Sequence, residues 1–344
     1  MTRTQKLLRS FEDGDGAYIS SKANIFYYSG FTSEDARLVV TKNERIILTD
    51  SRYTVQAKKQ APDFEIHDIR DLSVLEQLGI KRLLFEEEYL TVKELARINK
   101  GSYKAIPAMG KISKPREVKE EAEIEKIRAA ESLGDAAFSH ILGFIKPGVS
   151  EIEIALELEM FMRKNGASGL SFETIAASGV RSAMPHGTAS EKKLEHGDLF
   201  TLDFGCVLDG YCSDMTRTVA IGKPDSRQKE IYYTVLKAQK AACEFVAAGK
   251  SCADADGVAR SIIADSGYGE NFGHSLGHSV GIEIHENPNL SPKSAGILEP
   301  GNVVTVEPGI YIEGFGGVRI EDLVVIGEKN TVNLTKSEKE LIIL

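Results

Sequence analysis

Four carboxylates and one imidazole, Asp203, Asp214, His278, Glu307 and Glu321, stand where acidic residues are out of place. Phe200-Thr201-Leu202-Asp203-Phe204, Val303-Val304-Thr305-Val306-Glu307 and Val318-Arg319-Ile320-Glu321 each set an acid in or at the end of an apolar strand pattern. Acids in buried strands are rare unless they are paired. Four of them gathered at one point without cations repel one another and shift their pKa values upward. Arg319 can neutralise one of the four, but not all. With the imidazole they make an oxygen-rich donor set that can hold two divalent metal ions.

Asp203 and Asp214 fall on opposite arms of a hairpin whose turn is signalled by Leu208-Asp209-Gly210. A turn centred near residue 209 sets them close to directly opposed, where like charges destabilise a sheet unless an ion lies between them. His278 belongs to Gly273-His274-Ser275-Leu276-Gly277-His278-Ser279-Val280-Gly281. The spacing of His274 and His278 is that of a helical zinc pair. However, no Glu follows His274, and the glycines at 273, 277 and 281 predict a turn rather than a helix. His274, His278 and His285 cluster within a short stretch of a chain that has 7 histidines in all.

The elements that must position these residues form two blocks. In the first third, Ala17–Ser20, Arg37–Thr41, Arg45–Leu48 and Arg82–Phe85 read as strands, and Tyr53–Gln60 and Val92–Asn99 as helices, an α/β pattern. Between Lys111 and Glu123 the composition becomes charged around Pro115, and an amphipathic helix then runs through about Leu142. A domain boundary is placed there: residues 1–113, a linker at 114–122, and 123–344. Ser150 caps a helix predicted over Glu151–Asn165. Strands follow at Leu199–Val207 and Tyr211–Ile221, helices at Gln228–Ala248 and Cys252–Ser266, and strands again at Asn302–Ile312 and Gly317–Ile326. Helices then strands, twice, predict two similar α+β halves whose strands meet in one curved antiparallel layer backed by helices.

At 344 residues and 42% hydrophobic content the chain has room for two domains. Its longest apolar runs, such as Val303–Val306 and Leu323–Ile326, are strand-sized, and its N-terminus has no apolar core, which argues against a membrane span and a secretory signal. The 4 cysteines are then expected to be reduced thiols in the cytoplasm. A net charge of −9 without a basic, aromatic-interleaved block argues against a nucleic-acid partner.

Leu202-Asp203-Phe204-Gly205, Ser213-Asp214-Met215-Thr216-Arg217-Thr218, Gly277-His278-Ser279-Val280-Gly281, Val306-Glu307-Pro308-Gly309 and Arg319-Ile320-Glu321-Asp322 resemble, in order and spacing, the motifs of the pita-bread metallopeptidases. Among these the Xaa-Pro peptidases, aminopeptidase P and prolidase, are the nearest in pattern. Asn24–Phe31 and Thr49–Ala57 are similar to the creatinase-type N-terminal domain of those enzymes. The resemblance implies an α/β creatinase-like N-terminal domain and an α+β pita-bread catalytic domain with a curved antiparallel sheet. It further implies that Asp203 binds one metal, that Asp214 and Glu321 bridge two, and that His278 and Glu307 complete the second. Mostly oxygen donors suit Mn²⁺, with Co²⁺ or Zn²⁺ also compatible.

By the same resemblance Glu307 is the catalytic proton carrier, and His186, His274 and His285 polarise substrate, stabilise the oxyanion or transfer protons. Arg319 joins these histidines as a substrate-binding candidate. The implied reaction is hydrolysis of the Xaa-Pro bond of proline-containing peptides, whose nitrogen carries no hydrogen for an ordinary peptidase to recognise. A homodimer is implied as well. One departure stands out: dipeptidases of the family commonly carry an arginine soon after the His-Glu motif, and His285-Glu286-Asn287-Pro288-Asn289 has Asn289 instead. This favours an Xaa-Pro aminopeptidase over the alternative, an Xaa-Pro dipeptidase. Non-catalytic relatives usually lose several of these ligands, whereas all five are present here, and a creatinase, which needs no metal, would leave the four carboxylates unexplained.

Overall fold

The first third forms six strands: β1 (Asp15–Ile19), β2 (Ala36–Val40), β3 (Arg45–Thr49), β4 (Glu65–Asp68), β5 (Arg82–Phe85) and β6 (Lys104–Pro107). In the computed structural model, which describes residues 2–344, they form one sheet in the order β4-β3-β2-β1-β5-β6. The three central strands β1 to β3 pair antiparallel and the outer ones parallel. Helices α1 (Arg3–Leu8), α2 (Lys22–Ser29), α3 (Thr54–Gln60), α4 (Val74–Gln77) and α5 (Val92–Ile98) accompany it. Tyr18, Val39, Ile46, Leu48, Leu83 and Phe85 are at the centre of its core. The edge strands β4 and β6 escape sequence reading because both are short and half-exposed. The motif at Asn24–Phe31 lies in α2 and its cap, with Ser21 accepting from the Asn24 N–H and Gly30 closing the helix at φ 75°.

A second unit runs from Glu117 to Leu344. It opens with α6 (Glu121–Leu142) and α7 (Glu151–Lys164), the latter capped by Ser150 as the sequence predicts. Strands β7 (Gly169–Leu170), β8 (Ile175–Ser178), β9 (Leu199–Phe204), β10 (Cys206–Leu208), β11 (Tyr211–Cys212) and β12 (Met215–Ala220) follow. Then come α8 (Ser226–Phe245) and α9 (Cys252–Asp265), and a second strand block: β13 (Gly277–Ser279), β14 (Glu286–Leu290), β15 (Val303–Val306), β16 (Gly309–Ile312), β17 (Gly316–Arg319), β18 (Asp322–Ile326) and β19 (Thr331–Asn333). Every pairing between these strands is antiparallel. Phe138, Leu158 and Met162 pack under Phe200, Leu202 and Met215 in the first half. Val235, Ala259 and Ile263 pack under Val304, Val306 and Val324 in the second. The two halves join where the Glu321 N–H donates to the Thr216 carbonyl (3.1 Å) and the Arg319 N–H to Thr218 Oγ1 (3.2 Å).

Three local expectations are corrected. The β10–β11 turn has only Asp209 and Gly210 in its loop, at φ 49° and 81°, which is the two-residue geometry that matches strand twist. That register pairs Asp203 with Thr216, so Asp214 lies diagonal to Asp203, not directly opposite it. His278 sits on the short strand β13, not in a turn. Gly277 permits this, because a Cβ there would lie 2.1 Å from the Thr305 carbonyl oxygen. Finally, the strands expected over Asn302–Ile312 and Gly317–Ile326 are each broken in two, at Glu307-Pro308 and at Ile320-Glu321. Pro308 has no N–H to continue the ladder.

Gly205 separates β9 from β10, and a Cβ there would stand 1.9 Å from the Ser213 carbonyl oxygen. The backbone of the Asp214 arm can approach only a glycine. Gly205→Ala is expected to cost about 3 kcal/mol or more, since the obstacle is main chain and cannot swing aside. Thermal denaturation of that variant checks this, and an unchanged melting temperature would show that the arms can part without loss.

Candidate metal centre

Each strand break or end described above delivers one carboxylate to a common point. Asp203 comes from near the end of β9, Asp214 from the step between β11 and β12, Glu307 from the break before Pro308, and Glu321 from the break before β18. Donor atoms of Asp203, Asp214 and Glu321 lie within 4.8 Å of one another. His278 Nε2 is 3.5 Å from Asp214 Oδ2 and 3.5 Å from Glu307 Oε1. All five side chains therefore converge, and they line a cavity of about 670 Å³ together with His186, His274, His285, Asn289 and Arg319.

The electrostatics of this cluster are those of a site built for cations. Burial and the neighbouring carboxylates Glu321, Asp203 and Glu307 push the Asp214 carboxyl well above its ordinary range. Glu321 is raised in the same way, by burial and then by Glu307 and Asp203. Burial raises Glu307 to about 8, although Arg319 opposes the rise. Burial, with His285 beside it, lowers His278 to about 4, so its ring is neutral at neutral pH. His278 Nδ1 lies 3.2 Å from the Ser279 carbonyl, which can only accept; assigned from that partner, the proton is on Nδ1 and Nε2 is a bare lone pair. That lone pair points at two carboxylate oxygens. Acceptor facing acceptor is unfavourable unless a cation stands between them. Asp203 Oδ1 is likewise buried with no hydrogen-bond partner among the described residues. The residues present thus fit divalent metal, with donor types that match a hard or borderline ion.

Other side chains support this set; Arg319 was singled out in the sequence, whereas Tyr311 and Glu131 were not. Arg319 lines the cavity with every guanidinium nitrogen engaged: Nη2 on Asp203 Oδ2 (2.6 Å), Nη1 on the Tyr311 hydroxyl (2.6 Å) and Nε on Thr216 Oγ1 (3.0 Å). Tyr311 in turn bonds His274 Nε2 (2.9 Å), while His274 Nδ1 meets the Ser275 carbonyl (2.8 Å). The proton is then on Nδ1, and burial lowers His274 to about 4, so this ring is also neutral. Thr216 donates to Glu321 Oε2 (2.7 Å), and Thr305 to Glu307 Oε1 (3.1 Å). Glu131, fully buried on α6, accepts from the Asp214 N–H (3.2 Å) and is raised to about 8 by burial. Arg217 donates to the Glu321 carbonyl oxygen. Tyr311 had no signal beyond being a hydroxyl-bearing residue in an apolar strand pattern; the structure sets it across from Gly317. Glu131 had no signal beyond being an acid on the apolar side of a helix.

The remaining predicted histidines border the same space. The His285 ring lies 4.4 Å from that of His278 at 72°, and its pKa is lowered by burial and by His186. His186 is exposed to the cavity on the segment after β8.

Comparison with known proteins extends this picture to the whole chain. The family model described as Metallopeptidase family M24 matches residues 125–328, and the one described as Creatinase/Prolidase N-terminal domain matches residues 2–118. An uncharacterized peptidase of Bacillus subtilis (strain 168) is 47% identical over 338 residues, which is 96% of each chain. Among solved structures, the Xaa-Pro dipeptidase from Bacillus anthracis is 45% identical, with a TM-score of 0.96 over 99% of both chains. The X-Pro aminopeptidase from Thermotoga maritima MSB8 is 42% identical, with a TM-score of 0.92 over 100% of both chains.

Proposed function

The chain belongs to metallopeptidase family M24, and from that premise we propose that it is a metal-dependent hydrolase of the bond between an N-terminal residue and a following proline. The observation that carries this reading is the bare Nε2 of His278 facing carboxylate oxygens at 3.5 Å inside a peptide-sized cavity. Asp203, Asp214, His278, Glu307 and Glu321 are the ligands of two divalent ions in this reading, with Mn²⁺ preferred to Co²⁺ or Zn²⁺ for a mostly oxygen set. When bound, such ions supply Lewis-acid polarisation of the scissile carbonyl and bring the pKa of a water toward neutrality.

The protein's own groups do the rest. Glu307, partly open to the cavity, takes a proton from the attacking water and passes it to the proline nitrogen. Neutral His274, held by Tyr311 and the Ser275 carbonyl, borders the developing charge, and His186 and His285 face the peptide. Arg319 borders the substrate space while its donors hold Asp203 in place. A homodimer in the cytoplasm completes the reading. All four cysteines are free thiols, and no helix is long and apolar enough to cross a membrane among the described residues.

Arg319 is the one Lys or Arg lining the cavity among the described residues, and its three nitrogens are already bonded. No second Lys or Arg, free of such bonds, lines the cavity among the described residues to take the carboxylate of a dipeptide's proline. This favours an aminopeptidase acting on peptides beyond two residues, with dipeptidase action as the second reading. The test is one assay of Mn²⁺-loaded protein on Xaa-Pro dipeptides, Xaa-Pro-Yaa tripeptides and a Met-Ala-Xaa control. Release of Xaa from the tripeptides at least as fast as from the dipeptides is expected. Dipeptide-only turnover would overturn the preference, and silence on all three would overturn the peptidase itself. A companion follows from Asn289, which lines the cavity on β14. Asn289→Arg is expected to lower KM for Xaa-Pro dipeptides about tenfold, the effect of one added charge-assisted bond, with tripeptides changed less. An equal effect on both substrates would remove position 289 from length selection.

A further inference from the structure

Glu151 opens α7 and is fully buried, an unusual place for an acid at the first turn of a helix. The helix does not need it as a cap. Ser150 Oγ already accepts from the Glu153 N–H, and the Glu153 side chain returns to the Ser150 N–H at 2.8 Å. Glu151 instead collects donors from a single segment of chain that lies far from it in sequence. Oε1 accepts from the Ser178 N–H (2.7 Å) and the Ser178 hydroxyl (2.8 Å). Oε2 accepts from the Ser190 N–H (3.1 Å), the Ser190 hydroxyl (2.6 Å) and the Arg181 guanidinium. Arg181 then reaches the Thr188 carbonyl at 2.8 Å. One carboxylate thus ties together both ends of residues 178–190.

The middle of that segment supplies Pro185, His186 and Thr188 to the cavity. The His186 ring makes no hydrogen bond or ion pair within the chain among the described residues. Its position is therefore set by its backbone, and its backbone is set by the clamp. We propose that Glu151 is the positioning residue of His186, closing the base of residues 178–190 so that His186 is presented to the peptide. This rests on the reading of the site as a peptidase that uses His186, and the tests are chosen so that the two can fail separately.

Glu151→Gln keeps the shape but turns an N–H₂ toward donors on one side of the clamp, leaving at least two without an acceptor. Ser190→Ala is the milder variant, removing a single hydroxyl and retaining the fold if Glu151→Gln does not. In Mn²⁺-loaded protein Glu151→Gln is expected to lower kcat/KM for an Xaa-Pro-Yaa peptide at least about tenfold at unchanged metal content, and Ser190→Ala by about threefold. In a His186→Ala background either substitution should cost less than about twofold more, because its effect runs through His186. Amide hydrogen exchange should quicken in residues 179–189 of both variants and stay as in the wild type elsewhere. Losses that multiply in the double variant, activity falling in step with metal content, or unchanged exchange in residues 179–189 would each overturn the clamp. If the wild type cleaves no Xaa-Pro peptide, the peptidase reading falls. The exchange comparison then decides the clamp alone.

Discussion

Glu307→Ala is expected to lower turnover of Xaa-Pro peptides by about 10³-fold or more while leaving the protein folded. Proton transfer by a positioned carboxylate contributes about 10²–10⁴-fold on its own, and this residue is also placed as a metal ligand. Its surroundings suit both tasks. Thr305 steadies one oxygen, Arg319 lies near enough to oppose the rise in its pKa, and the carboxyl still titrates at about 8 in the metal-free protein. Deleting it removes one of four mutually repelling acids. The metal-free variant is therefore expected to melt no lower than the metal-free wild type, which separates loss of chemistry from loss of fold. Steady-state kinetics and a melting curve on the same preparation check both parts. Full activity would remove Glu307 from the mechanism.

Stripping the metals should have the next largest effect, and its sign with pH follows from the cluster. In the unfolded chain these carboxyls titrate near pH 4. In the folded, metal-free protein Glu307 is raised to about 8, and Asp214 and Glu321 are also well above their ordinary values. Between about pH 4 and pH 8 the folded state holds protons that the unfolded state has released. Its stability therefore falls as pH rises, by about 1.4 kcal/mol per pH unit for each proton retained. Bound cations replace those protons and remove the dependence. The gap in melting temperature between loaded and chelator-treated protein is thus expected to be small at pH 5 and to widen steadily to pH 8. Parallel curves across that range would mean that the acids are not coupled to metal.

What the sequence made legible was the chemistry rather than its joints. Asp203, Glu307 and Glu321 betrayed themselves as acids in apolar strands, and their meeting with Asp214 and His278 was implied by the resemblance of the five motifs to those of the pita-bread metallopeptidases. The diagonal offset of Asp214 was not legible, because it depends on whether the Asp209-Gly210 turn centres at one residue or between two. Half a residue there moves every cross-strand partner by one. Of the breaks that aim Glu307 and Glu321 inward, only one left a mark in the sequence. Pro308 announces one, but the break before Asp322 arises from where β18 pairs with β15. Tyr311, Glu131 and Glu151 were missed for a common reason. Each acts on residues distant in the chain, at 274 and 319, 214 and 335, and 178 and 190. No local pattern records such a meeting.

The arrangement ties one physical claim to the whole function: the five convergent side chains are a centre for two metal ions. Titrating Mn²⁺ into chelator-treated protein by calorimetry measures that claim most directly. The expected result is two ions per chain, reduced to one or none in Asp214→Asn, with Xaa-Pro hydrolysis appearing as the sites fill. Full hydrolysis in the metal-free protein, or no binding at this cluster, would contradict it.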